Sequence, residues 1–219
     1  MGLSQSVVSL QPGQAMLELI DSDFSHIEGT DCYCSDEAAQ RIRLLTGALP
    51  LRAVHFLGNG DYHHVSLFWL ERIGGPFELM LFDNHPDDQP CTFGDDLLSC
   101  GSWVIRARAL PFCKAVRWLD GNGVWHRTET GREDAGRSGG TVIGDLPVYL
   151  SVDLDILAPE CIRTNWNQGS LTVRQLIDGI ACAIRGRTVI GADVCGGPAP
   201  DDGDFGPSLE LARQICAMI

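Results

Sequence analysis

Continuous apolar runs alternate with amphipathic stretches along the chain. The runs at 16–21 (MLELID), 52–58 (RAVHFLG), 77–83 (FELMLFD), 147–156 (PVYLSVDLDI) and 188–194 (TVIGADV) lack the in-out alternation of a half-solvated strand. They predict strands buried on both faces. WVIRARAL (103–110) and KAVRWLD (114–120) read as two more strands. Between them, SDEAAQRIRLLTGAL carries Ser35 as an N-cap, and HHVSLFWLERIGG stops at Gly74-Gly75. LTVRQLIDGIACAIRG opens with a capping box of Thr172 and Gln175, and SLELARQICAMI begins at Ser208 as its N-cap. Strands separated by helices predict parallel βαβ units, hence an α/β fold: a three-layer α/β/α sandwich around a mostly parallel sheet. With 219 residues the chain has room for one well-buried domain over 1–219. A polar, glycine-rich stretch at 121–140, GNGVWHRTETGREDAGRSGG, reads as a flexible excursion from it.

Polar clusters follow three of the apolar runs. GNGDYHH comes after 52–58, DNHPDD after 79–82, and Asp153 and Asp155 close the run at 147–152. In open α/β sheets ligands bind beyond the carboxyl ends of the strands, so the three clusters are expected on one rim. Asp153 and Asp155 are two apart in a strand-like run and are expected to leave the same face. Asp83, His85 and Asp87 repeat that spacing, and His63 or its neighbour His64 adds an imidazole. Carboxylates so crowded repel unless a cation neutralises them. Two imidazoles and four carboxylates suffice for two metals sharing bridging carboxylates, and an oxygen-rich set with some nitrogen suits manganese. Such a pair activates water and polarises an electrophile, which predicts hydrolysis of a C–N or C–O centre.

The bulk composition narrows the partners. A formal net charge of −13 argues against nucleic acid and anionic membrane surfaces. No apolar run approaches the roughly 20 residues of a membrane span. The nine cysteines are scattered, no secretory signal precedes them, and reduced thiols in a cytoplasmic protein are the expectation.

GNGDYHHVS, FDNHPD and SVDLDILAP resemble the three metal motifs of the arginase/agmatinase (ureohydrolase) superfamily, and GSLTVRQLIDGI resembles the helix that follows the third. The resemblance runs from about residue 53 to 198, within a short and divergent branch of that superfamily. It implies two Mn²⁺ per chain, with Asp83 and Asp153 bridging. His63 and Asp87 would complete one site, and His85 and Asp155 the other. It further implies a metal-bridging hydroxide that attacks the guanidinium carbon, with Asp87 and Asp83 catalytic and Asp87 passing the proton. The substrate class implied is a small cationic guanidino compound (arginine or agmatine) or an arginine-containing peptide. Homo-oligomers are common in the superfamily. Two departures stand out: the loop CTFGDDLLSCGSW holds no shuttle histidine, and the superfamily's substrate-gripping glutamate falls at Cys195, leaving Asp193 or Cys195 as substrate residues. The competing expectations are a single-metal, deacetylase-like amidohydrolase of the same fold and a non-enzymatic metal-binding protein.

Overall fold

A computed structural model describes residues 17–91, 94, 97–129, 146–199, 201 and 203–219. Seven strands form the central sheet: β1 (Leu19–Asp21), β3 (Val54–Phe56), β4 (Phe77–Phe82), β6 (Cys113–Leu119), β7 (Trp125–Glu129), β8 (Val148–Asp153) and β9 (Val189–Cys195). Their order is β1-β3-β9-β8-β4-β6-β7. Every neighbouring pair is parallel except β6 with β7. A separate antiparallel pair joins β2 (Tyr33–Cys34) to β5 (Leu98–Ser99).

The period-two alternation of the strands divides the interior into two cores. Met80 and Phe82 of β4, Leu150 and Val152 of β8, and Ala192 and Val194 of β9 pack with helices α4 (Val173–Ile184) and α5 (Gly206–Cys216). Leu79, Leu81, Tyr149 and Cys195 face the opposite way, onto α1 (Asp36–Ala48), α2 (Ser66–Leu70) and α3 (Trp103–Ala109). Helices on both faces of a mostly parallel sheet make the expected three layers. Ser35 caps α1 by accepting from the Ala38 amide, and Thr172 and Gln175 form the capping box of α4. No helix among the described residues is long and apolar enough to cross a membrane.

Four elements differ from the sequence reading. HHVSLFWLERIGG begins in a 3-10 turn, Gly60–Val65, and its helix α2 ends at Leu70 rather than at Gly74-Gly75. WVIRARAL is helix α3, not a strand. Its buried Trp103, Val104 and Ala107 fit one helical face, which an eight-residue run does not distinguish from a strand. The last helix starts at Gly206, before Ser208, with Phe205 in the N-cap position and Pro207 in the first turn, where proline's missing N–H costs nothing. The stretch at 121–140 opens as an edge strand, because Trp125 packs edge-on against Phe82 and pairs with Leu119. The remainder of that stretch, from 130, lies outside the described residues.

At the amino end of the sheet, Glu78 is fully buried and accepts from Arg117 Nε at 2.7 Å and from Arg187 Nη2. The two guanidiniums overcome burial and hold its carboxyl below the usual range. Removing the fully buried carboxylate takes the ionic partner from the Arg187 side chain, which is only 6% exposed, while Arg117 keeps access to water. Glu78→Ala is expected to lower unfolding free energy by about 3–5 kcal/mol in a denaturant titration. A loss below about 1 kcal/mol would assign the triad no structural role.

Candidate metal centre

All three polar clusters converge at the carboxyl ends of β3, β9, β8 and β4, which are consecutive in the sheet. Gly58, with φ of 85°, turns the chain out of β3 into a 3-10 turn, Gly60–Val65. Asn59 caps that turn by accepting from the Asp61 amide. The turn buries both His63 and His64, and His63 is the one that enters the cluster. Its Nδ1 lies 3.0 Å from Asp87 Oδ2, 3.1 Å from Asp83 Oδ2 and 3.6 Å from Asp153 Oδ2. His64 belongs to no such group among the described residues.

Beyond β4 the chain leaves the extended conformation at once. The Asp83 carboxylate accepts from the His85 amide at 2.7 Å, and Asp87 adopts φ of 47°. A non-glycine residue in the left-handed region costs energy and concentrates at functional sites. Here the turn directs Asp87 Oδ2 to both His63 and the Trp103 indole N–H, 2.8 Å away. His85 Nδ1 lies 2.8 Å from Asp155 Oδ2 and 3.6 Å from Asp83 Oδ1. Asp83 therefore turns one oxygen toward each histidine.

The shared-face expectation for Asp153 and Asp155 gives way to a tighter arrangement. β8 ends at Asp153, and Asp155 lies in a 3-10 turn, Leu154–Ile156. Asp153 Oδ1 accepts from the Asp155 amide at 2.9 Å, and Asp155 Oδ1 accepts from the Asn84 amide at 3.0 Å. A local side-chain-to-backbone bond thus replaces the strand at the point where both carboxylates are needed. The result is two donor groups, His63–Asp83–Asp87 and Asp83–His85–Asp155, each with its ligand atoms within 4.8 Å and joined through Asp83.

These residues fit divalent cations for a reason independent of any motif. Ser151 Oγ lies 2.9 Å from His63 Nε2 and donates to Asp193 Oδ1 at 2.7 Å. A hydroxyl that gives its one hydrogen to a carboxylate accepts from Nε2–H, which turns Nδ1 toward the carboxylates of Asp83, Asp87 and Asp153. Burial opposes a charge on His63, but the neighbouring Cys195, Asp83 and Asp87 raise it well above the ordinary imidazole range. Without metal a proton on Nδ1 answers the crowded carboxylates, and a divalent cation would take that proton's place. Burial, with Asp155 and Asp83 beside it, pushes Asp153 up to about 8. Burial and Asp83 push Asp155 up to about 6. The hydrogen bond to Asp155 raises His85 to about 10.

The five residues His63, Asp83, His85, Asp87 and Asp153 line a cavity of about 180 Å³, walled by Gln89, Cys100, Gly101 and Trp166. Asp193 and Cys195 are fully buried and are not among its lining residues. Asp193 instead lies beneath His63, accepting from Ser66 and Ser151. Of the supporting residues, Ser151 opens the SVDLDILAP motif and shares the parity of Asp153 in β8, whereas Trp103 and Trp166 gave no sequence signal.

No family model matches the chain. An uncharacterized protein of Thermotoga maritima is 33% identical over 164 residues, covering 74% of this chain; the chain spans 65% of that relative's length. Among solved structures, proclavaminate amidinohydrolase of Streptomyces clavuligerus superposes with a TM-score of 0.60 at 18% identity, over 84% of this chain and 68% of its own. Arginase of Medicago truncatula gives 0.56 at 20% identity, over 84% and 65%. A triple mutant of the T. brucei arginase-like protein, bound with Mn²⁺, gives 0.52 at 19% identity, over 88% and 69%. At these identities the likeness is one of fold.

Protons stand in for the cation when the metal is removed. Asp153 and Asp155 hold protons in the folded state that the unfolded chain releases near pH 4, and His85 holds one released near 6.5. Metal-free protein therefore loses stability as pH rises from about 4 to about 10. Added Mn²⁺ is expected to raise the melting temperature more at pH 8.5 than at pH 5.5. Equal shifts at both would show that the carboxylates do not bind the ion.

Proposed function

Proceeding from the arginase/ureohydrolase fold that the chain adopts, we propose that this protein is a binuclear metal-dependent hydrolase that cleaves a C–N bond of a guanidino or amidino group. One observation carries the reading: two donor groups share Asp83, whose carboxylate oxygens face buried His63 on one side and half-exposed His85 on the other. His63, Asp83, Asp87 and Asp153 would hold one ion, and His85 and Asp155, with Asp83, the second. Carboxylate-rich donors suit manganese. When bound, the metal pair supplies Lewis-acid polarisation and lowers the pKa of water.

The chain's own residues set the rest. Asp87, fixed by Trp103 and by its left-handed backbone, is positioned at the cavity floor to take and return a proton of the reacting group. Ser151, itself held by Asp193, orients the His63 ring at Nε2. A cavity of about 180 Å³ is below the usual 300–1,000 Å³ of a small-molecule site, so it accommodates the planar head of a substrate, with the remainder beyond Trp166. A small cationic guanidino compound and an arginine side chain of a peptide both meet that description.

Among the described residues the cavity walls carry neither a further histidine nor a glutamate. That supports a second reading, a metal-binding protein without turnover. Protein loaded with Mn²⁺ and incubated with arginine, agmatine, guanidinobutyrate and arginine-containing peptides is expected to release urea from at least one of them. Two bound metals with no product from any would favour the second reading. Asp83→Asn is expected to lower metal content from two ions per chain and to abolish turnover. Unchanged metal content and rate would refute the shared-ligand role.

A further inference from the structure

Asp61 belongs to the GNGDYHH stretch that carries His63, yet among the described residues it shares no donor group with the metal-centre residues. Its carboxylate braces a wall of the cavity instead. Oδ1 accepts from the Trp166 indole N–H at 3.0 Å and from the Cys32 thiol at 3.2 Å, and Oδ2 accepts from Asn59 Nδ2 at 3.1 Å. Trp166 is 105 residues further along the chain, in the loop after β8, and it lines the cavity with His63, Asp83 and Asp153. An indole bonded to a carboxylate is an ordinary brace, and single exposed aromatics are common. A recognition role needs more than this contact.

The ring is fixed from several sides without being covered. A Cβ at Gly60 would lie 2.7 Å from Trp166 Cδ1 and 3.0 Å from Asp153 Oδ2, so glycine lets the indole approach the ligand rim this closely. Both neighbours of Trp166 are tied down. The Asn165 amide donates to the Gly197 carbonyl at 2.9 Å, and the Asn167 carbonyl accepts from Asn84 Nδ2 at 2.9 Å. Asp61 and Gly60 thus occupy the pyrrole side of the indole, while the residue stays 40% exposed. Across the cavity the His85 ring stands at 71° to it, 6.3 Å away between centroids. A side chain already held in place loses little freedom when a ligand settles on it.

Charge and shape indicate what would settle there. The carboxylates of Asp83, Asp87, Asp153 and Asp155 would be balanced by two divalent ions, so the loaded centre brings little net charge to attract a cation. The cavity wall offers no glutamate among the described residues. An aromatic face attracts cations through its quadrupole, and a planar, weakly hydrated guanidinium stacks on it better than a compact, strongly hydrated ammonium. We propose that Trp166 is the specificity-determining residue of this site, its indole forming the wall on which the flat, delocalised cationic head of the substrate rests. Asp61 is the positioning residue that holds the ring. The inference rests on the guanidino-hydrolase reading and adds to it the group that recognises the cation.

Binding is measured apart from turnover. Mn²⁺-loaded protein is titrated calorimetrically with butylguanidine and with butylamine, which has the same chain but ends in a compact ammonium. The wild type is expected to prefer butylguanidine. Trp166→Leu is expected to weaken butylguanidine by about 3–30-fold and butylamine hardly at all, whereas Trp166→Phe, which keeps an aromatic face, retains most of the preference. Asp61→Ala frees the ring and is expected to weaken butylguanidine. Asp61→Asn, whose amide oxygen still accepts from the indole, is expected to weaken it less. In turnover the Trp166→Leu loss is expected in KM rather than kcat, with manganese content unchanged. Equal weakening of both compounds, loss of bound manganese, or a fall in kcat at unchanged KM would each overturn the proposal. A wild type that binds both compounds alike, or neither, would overturn it too. If Trp166→Leu does not fold, an Asp61→Ala protein with full butylguanidine affinity would overturn it. Trp166-dependent binding with no urea from any guanidino compound would leave the wall standing and sink the hydrolase. Urea release with unchanged KM in Trp166→Leu would do the reverse.

Discussion

Four carboxylates and two imidazoles share a volume from which the surrounding strands and indoles exclude most water. Two like charges 4 Å apart repel by about 4 kcal/mol at the effective dielectric of a protein site, and here several such pairs meet at once. Nearly every local feature of the rim is a response to that crowding. The Asp83 and Asp153 carboxylates take amide protons from the residues two positions on, Asp155 takes one from Asn84, and the Trp103 indole serves Asp87. These bonds spread negative charge over fixed dipoles without cancelling it. A cation is the remaining term, and Asp83 turns one oxygen toward each of the two histidines.

The sheet converts this requirement into sequence. On β8 and β9, alternate residues point to opposite cores, and the column facing α1–α3 runs Tyr149, Ser151, Asp153 beside Asp193 and Cys195. An apolar base thus grades into hydroxyl, then carboxylate, toward the carboxyl end. The other parity stays apolar throughout, with Leu150, Val152, Ala192 and Val194. A strand can therefore be continuously hydrophobic in one core and deliver charge at its tip in the other.

The parts of this arrangement that were readable from the residues are those with a strong local period or cap. The parallel strands, the Ser35 cap and the Thr172–Gln175 box follow from short-range chemistry, and the order of the three polar clusters gave the rim. What escaped depends on contacts distant in the chain. Helix α3 was indistinguishable from a strand because its burial is decided by packing on α2 and β6. The choice of His63 over His64 turns on a 3-10 turn whose pitch is set by Asn59. Asp153 and Asp155 come together through a turn rather than through the strand alternation the sequence suggested. Trp103 and Trp166 have no signature, since an indole becomes a support only when a particular partner stands opposite.

Glu78 and Asp83 occupy the two ends of one strand. At about 3.3 Å per residue they lie some 16 Å apart, with the Arg117 and Arg187 guanidiniums gathered at the far end. Changes separated by more than about 7–10 Å and sharing no partner add independently. Variation in the loops beyond β3, β4 and β8 can therefore alter what reaches the rim while the ionic anchor at the base keeps the sheet in register. The molecule is thus divided lengthwise, with an ionic anchor at the base and a chemically open rim, and a change of chemistry at the rim does not refold the base.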